Sequence, residues 1–221
     1  MVKLRLEIEF KMRRMWASRG DKVSSVVDIP VARSWTKTNL PIIPATSVKG
    51  VLREALERSL NDCCAGPAPE HYRCSPNEPC IVCRHFGNPK VTSRLRFGNA
   101  KPDQPEPPVQ NRYGVGISRW RRAALEEVLF IREVVEHKTL VCEVSGYYED
   151  WREALEAAAL LGLACRLVVA IGAAKTRGLG FVEKAALKNV EIDGKAIADD
   201  QINAEIERIW KERKCGSSGS R

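Results

Sequence analysis

Val2-Lys3-Leu4-Arg5-Leu6-Glu7-Ile8-Glu9-Phe10-Lys11 alternates apolar and charged residues without a break. Side chains alternate faces along a strand, so this period of two predicts a strand with one buried and one wet face. Further on, Pro41-Ile42-Ile43-Pro44 leads into Thr46-Ser47, a helix-capping pair, and Val48, Val51, Leu52, Ala55, Leu56 and Leu60 follow at helical spacing. Val128–Val135 and Thr139–Tyr147 read as strands, with Glu136-His137-Lys138 as a hairpin turn between them. Trp151–Val169 is a helical run of Ala and Leu that stops by Gly172, and Phe181–Glu191 reads as a strand. Asp193-Gly194 is a turn, and Ile202, Ile206, Ile209 and Trp210 mark a last amphipathic helix. Strand, helix, insertion, two strands, helix, strand is the split βαβ plan. The expected fold is α+β, with a ferredoxin-like or RNA-recognition-like core.

The rest of the chain reads as connection. Arg13–Thr38 has no clear period and reads as a loop, Arg94–Ala100 as a short strand, and Lys101–Asn111, with four prolines, as a flexible connection. Gly216-Ser217-Ser218-Gly219-Ser220-Arg221 reads as a flexible tail or cloning scar outside a single domain over 1–215.

A 221-residue chain of net charge +8 and pI near 9.2 favours a polyanionic partner. A membrane is the weaker option, because the longest apolar run, near Ala157–Ile171, is broken by Arg166. The N-terminus lacks the architecture of a signal peptide, so a cytoplasmic location is the expectation.

Five of the eight cysteines fall within Cys63–Cys83, in a stretch (61–89) too rich in Cys, Pro and Gly for a regular element. Clustering of this kind points to metal rather than to a disulfide framework. Cys80 and Cys83 form a CxxC knuckle, and Cys64 and Cys74 complete a tetrahedral zinc set, with Cys63 or His71 as substitutes. Four protein ligands make the ion structural. The alternative is a loop of free thiols.

Three segments suit phosphate. The capped helix start at Ser47 offers free N–H groups, and Lys49 and Arg53, four apart, share a helix face; a solvated basic face is the alternative. In Gly172-Ala173-Ala174-Lys175-Thr176-Arg177-Gly178-Leu179-Gly180, glycines allow close backbone approach while Lys175 and Arg177 supply charge. Its order of glycine, lysine and hydroxyl is not that of a P-loop. In Gly116–Ala123, Arg119, Arg121 and Arg122 surround Trp120, a combination able to pair with phosphates and stack on an unpaired base, or simply a basic turn. Asp28 is a loop carboxylate that either caps a turn or holds Mg²⁺ against a phosphodiester. His71, His85 and His137 form no evident acid–base pair, which leaves histidine-driven RNA cleavage with little support.

Taken together these segments resemble the RAMP superfamily, the repeat-associated proteins of CRISPR–Cas systems, and most closely the repeating backbone subunits of type III effector complexes. Val27-Asp28-Ile29-Pro30-Val31-Ala32-Arg33 and Leu40–Arg53 are similar to the family's Asp-x-Pro and Ile-Pro-Gly-Ser-Ser-x-Lys-Gly-x-x-Arg region. Cys80-Ile81-Val82-Cys83-Arg84-His85-Phe86-Gly87 resembles its CxxC-x-x-Phe-Gly segment, Gly116–Ala123 with Leu129-Phe130 and Glu133-Val134-Val135 its thumb hairpin, and Gly172–Gly180 its glycine-rich loop. The match covers most of residues 2–190.

The resemblance implies a thumb over about 101–140 and copies, or paralogues, stacked along a CRISPR RNA with other subunits of an effector complex. Arg33, Ser47, Lys49 and Arg53, with the loop of Gly172, Lys175, Arg177 and Gly178, would then bind RNA. Arg119, Trp120, Arg121 and Arg122 would interrupt the guide–target duplex. Asp28 would cleave the bound target RNA with Mg²⁺ or another divalent metal. Two positions depart from the pattern: Ala45 stands where Gly is usual, and Ser118-Arg119 where backbone subunits have Asp-Arg. A non-cutting capping or scaffold subunit is therefore the alternative, and a stand-alone zinc-containing RNA-binding protein a second.

Overall fold

A computed structural model describes residues 1–21, 26–35, 39–60 and 74–212. The proposed ligand Cys64, its substitutes Cys63 and His71, and the tail expected at Gly216–Arg221 lie outside them.

Strand β1 (Val2–Met12) is central. Its Leu4, Leu6, Ile8, Phe10 and Met12 are buried, as the alternation requires. It pairs antiparallel with β6 (Thr139–Tyr148) from Val2↔Tyr148 to Lys11↔Thr139, and with β7 (Val182–Ile192) on its other side. The short strands β2 (Leu95–Phe97) and β3 (Lys101–Pro102) run along the outer edge of β6, with Gly98 N donating to Glu143 O at 2.8 Å between them. Together they occupy the place of the second strand in a split βαβ sheet, and an edge position tolerates Pro102, which has no N–H to donate. Strand β8 (Lys195–Ala196) pairs with β7 across the Asp193-Gly194 turn. The order β2-β6-β1-β7-β8 is the ferredoxin-like arrangement anticipated from the order of elements.

Helices α1 (Ala45–Leu60), α3 (Trp151–Leu167) and α4 (Asp199–Glu212) form the second layer, with α3 in contact with both α1 and α4. Asp150 caps α3 by accepting from Glu153 N at 2.8 Å. Gly162 lets α4 come close: a Cβ there would sit 3.1 Å from Ile206 Cδ1.

Three expectations change. Lys101–Asn111 is not simply a connection, because it contains β3 and the start of β4 (Val109–Ile117). Helix α1 is not capped by Thr46-Ser47. It begins at Ala45, whose N–H donates to Asn99 Oδ1 at 2.9 Å, directly after Pro44, whose fixed φ suits a helix start. Glu136-His137-Lys138 is not a hairpin turn either. Strand β5 (Ala124–Val135) pairs with β4 in a separate two-stranded sheet, while β6 pairs with β1, so the three residues carry the chain from one sheet to the other. His137 Nε2 lies 2.5 Å from Asp103 Oδ1, joining the segment that leaves the main sheet to the one that returns.

The thumb is thus the β4–β5 ribbon. The CxxC insertion is not peripheral: in the short helix α2 (Ile81–Phe86), Val82 and Phe86 belong to the same buried cluster as Leu4, Leu52 and Leu56.

Candidate nucleic-acid interface and metal centre

Cys74, Cys80 and Cys83 place their Sγ atoms within 4.8 Å of one another. Cys80 N donates to Cys74 Sγ at 3.1 Å and Cys83 N to Cys80 Sγ at 3.4 Å, so backbone N–H groups already point at the sulfurs. Sulfurs at the corners of a zinc tetrahedron stand about 3.8 Å apart, given Zn–S bonds of about 2.3 Å. Soft donors in a compact group, with N–H groups aimed at the sulfurs, suit thiolate ligation, and the cluster could hold a metal ion such as zinc.

Lys49 and Arg53 share a face of α1, as their spacing predicts, but that face meets the cysteine knuckle. Lys49 Nζ donates to Ser93 Oγ at 2.8 Å, and burial followed by the Arg53 charge lowers its pKa below the ordinary lysine value. Arg53 is only 14 % exposed and binds Glu57 Oε1 at 2.7 Å, the Gly87 carbonyl, and Cys83 Sγ at 3.5 Å. Ser47 sits half-buried in the first turn. Behind the knuckle, Glu156 accepts from His85 Nε2 at 2.9 Å, Arg84 at 3.2 Å and Arg208 at 3.2 Å, tying α2 to α3 and α4. Burial alone would raise the Glu156 carboxyl. The His85 hydrogen bond, the charges of His85 and Arg84 and the Arg208 hydrogen bond together hold it below the usual carboxylate value.

Strand β5 brings the other predicted segments together. Asp28 N donates to Ile131 O at 3.1 Å, and Ile131 N donates back to Asp28 Oδ2 at 2.9 Å. One residue earlier on the strand, the Phe130 ring carries the Arg177 guanidinium 5.3 Å from its centroid. Gly114 faces Phe130 on β4, where any Cβ would collide with the ring. In the glycine-rich loop, Gly172 has φ +94° and packs against Ala17 O, Gly178 has φ +83°, and Lys175 is half-buried in a 3-10 turn. Arg33 turns inward to Glu133 at 3.3 Å, and the same carboxylate accepts from Val31 N at 2.9 Å.

At the thumb tip, Arg119, Trp120, Arg121 and Arg122 are all exposed, Trp120 at 94 %. Ser118 holds the turn through Arg121 N to its Oγ and Arg122 N to its carbonyl.

Apart from Arg177 of the glycine-rich loop, the cations at the thumb base were not singled out by any sequence pattern. Arg112 and Arg132 stand directly opposite each other across the ribbon. Like charges in that position are unfavourable unless an anion joins them. Burial, then the charges of Arg177 and Arg19, lower the Arg132 pKa below the ordinary arginine value. Arg13, Arg14, Arg112, Lys138 and Arg177, with Asp103 and Glu136 among them, line a cleft of about 1010 Å³ at the thumb base. A second cleft of about 810 Å³ runs past Arg19, Arg33, Trp35 and Asn99. Only the adjacent Arg13-Arg14 was a visible signal, because the Arg112–Arg132 pair depends on register.

An exposed cationic tip, a cationic base and a glycine-rich loop between them can hold a phosphate backbone. Among the described residues, no helix is long and apolar enough to cross a membrane. A search of curated proteins finds no match. The model of the RAMP superfamily matches residues 30–183, more than half of the chain, and takes in the knuckle, the thumb and the glycine-rich loop; Asp28 lies just before its first residue. The chain therefore belongs to the RAMP superfamily, whose members are CRISPR-associated RNA-binding proteins.

Proposed function

We propose that this chain is a CRISPR RNA-binding backbone subunit of a type III interference complex that cleaves bound target RNA at Asp28. The observation that carries the reading is the reciprocal bonding of Asp28 to Ile131. It fixes a carboxylate on the thumb strand, one residue from Arg132 and beside the Phe130–Arg177 contact. RNA phosphates gathered by Arg112, Arg132 and Arg177 would lie along the same strand.

Among the described residues, Asp28 does not belong to a cluster of three or more metal-ligating side chains. A divalent ion there would be held by Asp28 together with RNA phosphate oxygens, a mode that suits Mg²⁺. Such an ion, when bound, supplies charge neutralisation at the phosphate and an activated water. The chain's own part is to position the phosphodiester: Arg132 and Arg177 bind its neighbours, the thumb tip separates the strands, and Trp120 stacks on a displaced base. Further copies or paralogues would continue the grip along the guide.

A second reading has a specific observation in its favour. The Asp28 carboxylate already serves as a structural acceptor for Ile131, as it would in a capping or scaffold subunit that binds the guide without cutting. Target-RNA cleavage by the assembled complex in Mg²⁺ separates the two, with wild type compared with Asp28→Ala. Regularly spaced products that vanish in the variant, with RNA binding kept, support the backbone RNase. Cleavage that survives the substitution excludes Asp28 as the catalytic group, and no cleavage by wild type favours the scaffold.

A further inference from the structure

Arg53 sits where a phosphate-gripping residue was expected, yet its guanidinium faces the cysteine knuckle. Each of its three nitrogens is engaged: Nε with Glu57 Oε1 at 2.7 Å, Nη1 with Gly87 O, and Nη2 with Cys83 Sγ at 3.5 Å. Gly87 has φ +75°, and a Cβ there would lie 2.6 Å from Ser93 N, so only glycine fits at the position whose carbonyl Arg53 grips. Lys49, one turn earlier, reaches Ser93 of the same loop at 2.8 Å.

Cys83 is fully buried. A metal-bound thiolate there carries charge out of water, which is unfavourable without a partner. The backbone N–H···S bonds within the knuckle are neutral. Arg53 reaches it from thirty residues away with a full positive charge, and Glu57 orients that charge.

We propose that Arg53 is a positioning residue for the metal centre, the charge partner of the Cys83 thiolate, and that through it the loaded knuckle fixes α1. The proposal depends on the metal reading of the cysteine cluster. Outer-sphere partners of this kind change metal affinity by about 10–100-fold.

The test compares wild type with Arg53→Gln and Arg53→Lys, each purified with zinc. Zinc per chain, zinc release to a chromogenic chelator, the sulfur-to-cobalt charge-transfer band of the Co²⁺-substituted protein, and affinity for single-stranded RNA are measured. The expected result is one zinc per wild-type chain, release at least about tenfold faster in Arg53→Gln, a shifted cobalt band, and partial rescue in Arg53→Lys. Unchanged release and an unchanged band in a zinc-loaded Arg53→Gln protein would overturn the proposal while leaving the metal centre standing. Wild type with no zinc would overturn both. Loss of RNA affinity with unchanged zinc release would return Arg53 to the phosphate grip. The band is read on folded, metal-loaded protein, so a fall in melting temperature alone does not reproduce it.

Discussion

Ile131 N donates to Asp28 Oδ2 at 2.9 Å while Ile131 O accepts from Asp28 N at 3.1 Å. The loop that carries the candidate catalytic carboxylate is therefore held to the thumb strand by that carboxylate as well as by backbone bonds of Asp28, Ile29 and Glu133. Replacing it removes two things together, a charge and an anchor.

Asp28→Asn separates them, since an amide oxygen still accepts from Ile131 N. Asp28→Ala should destabilise the protein by about 1 kcal/mol, as expected when one hydrogen bond to a charged group at an exposed site is removed. Asp28→Asn should cost less than half of that in denaturant unfolding. Both should abolish cleavage if Asp28 acts through its charge, whereas activity lost only in Asp28→Ala would mark it as an anchor.

Arg112 and Arg132 oppose each other on the ribbon, so removing one relieves repulsion. Arg112→Ser should leave the protein as stable as wild type or more stable by about 0.5 kcal/mol. The same change should weaken RNA binding, and the slope of log K against log salt should shrink by about 0.7 for each single-strand phosphate no longer neutralised. Parallel melting and salt-titration experiments check both signs. A destabilised variant with an unchanged salt slope would contradict the anion-site reading.

Gly172 and Gly178 both have positive φ, but only Gly172 is also crowded. A Cβ at Gly172 would lie 2.3 Å from Ala17 O, while Gly178 faces open space. Gly178→Ala should therefore cost about 1 kcal/mol, the penalty for a left-handed non-glycine residue. Gly172→Ala should cost clearly more, about 2–3 kcal/mol with backbone strain added. Urea unfolding of the two variants gives the comparison directly.

Glu156 accepts from His85, Arg84 and Arg208, and its carboxyl is held below the usual value. A carboxyl depressed in the folded state adds stability that is present above its unfolded pKa, about 4.3 for glutamate. That stability is lost as pH falls through the lower folded value. Glu156→Gln should thus flatten stability against pH below about pH 4 and lower it at neutral pH. Glu156→Ala, which leaves the buried His85 without its acceptor while Arg84 and Arg208 can turn to solvent, should cost about 2 kcal/mol at pH 7. Melting curves from about pH 3 to 7, the range that spans ordinary carboxylate titration, read both.

Val82 and Phe86 lie in the main core, so a metal ion held by the cysteine cluster would support more than its own loop. Chelation should lower the melting temperature of the whole protein by several degrees, since a ligand bound only to the folded state stabilises it by mass action. A core transition unmoved by chelation would show the knuckle to be thermally independent.

The amino-acid sequence alone determined what short-range physics determines. Alternation in Val2–Lys11 and the helical periods of Val48–Leu60 and Trp151–Val169 depend on neighbours within one element, and they specified the ferredoxin-like plan. The CxxC spacing likewise placed Cys80 and Cys83 on one knuckle, and Cys74, expected from the sequence as a further ligand, lies beside them. What the tertiary structure decided is partnership. Lys49 and Arg53 share a helix face by period, but nothing local says that the face meets Ser93, Gly87 and Cys83. Arg33 looks as available as Arg177 until Glu133 arrives from a hundred residues away. Glu136–Lys138 resembled a hairpin turn because β5 and β6 are consecutive strands, yet pairing went to β4 and β1. The facing of Arg112 and Arg132 follows from strand register, which is set across the ribbon and not along it.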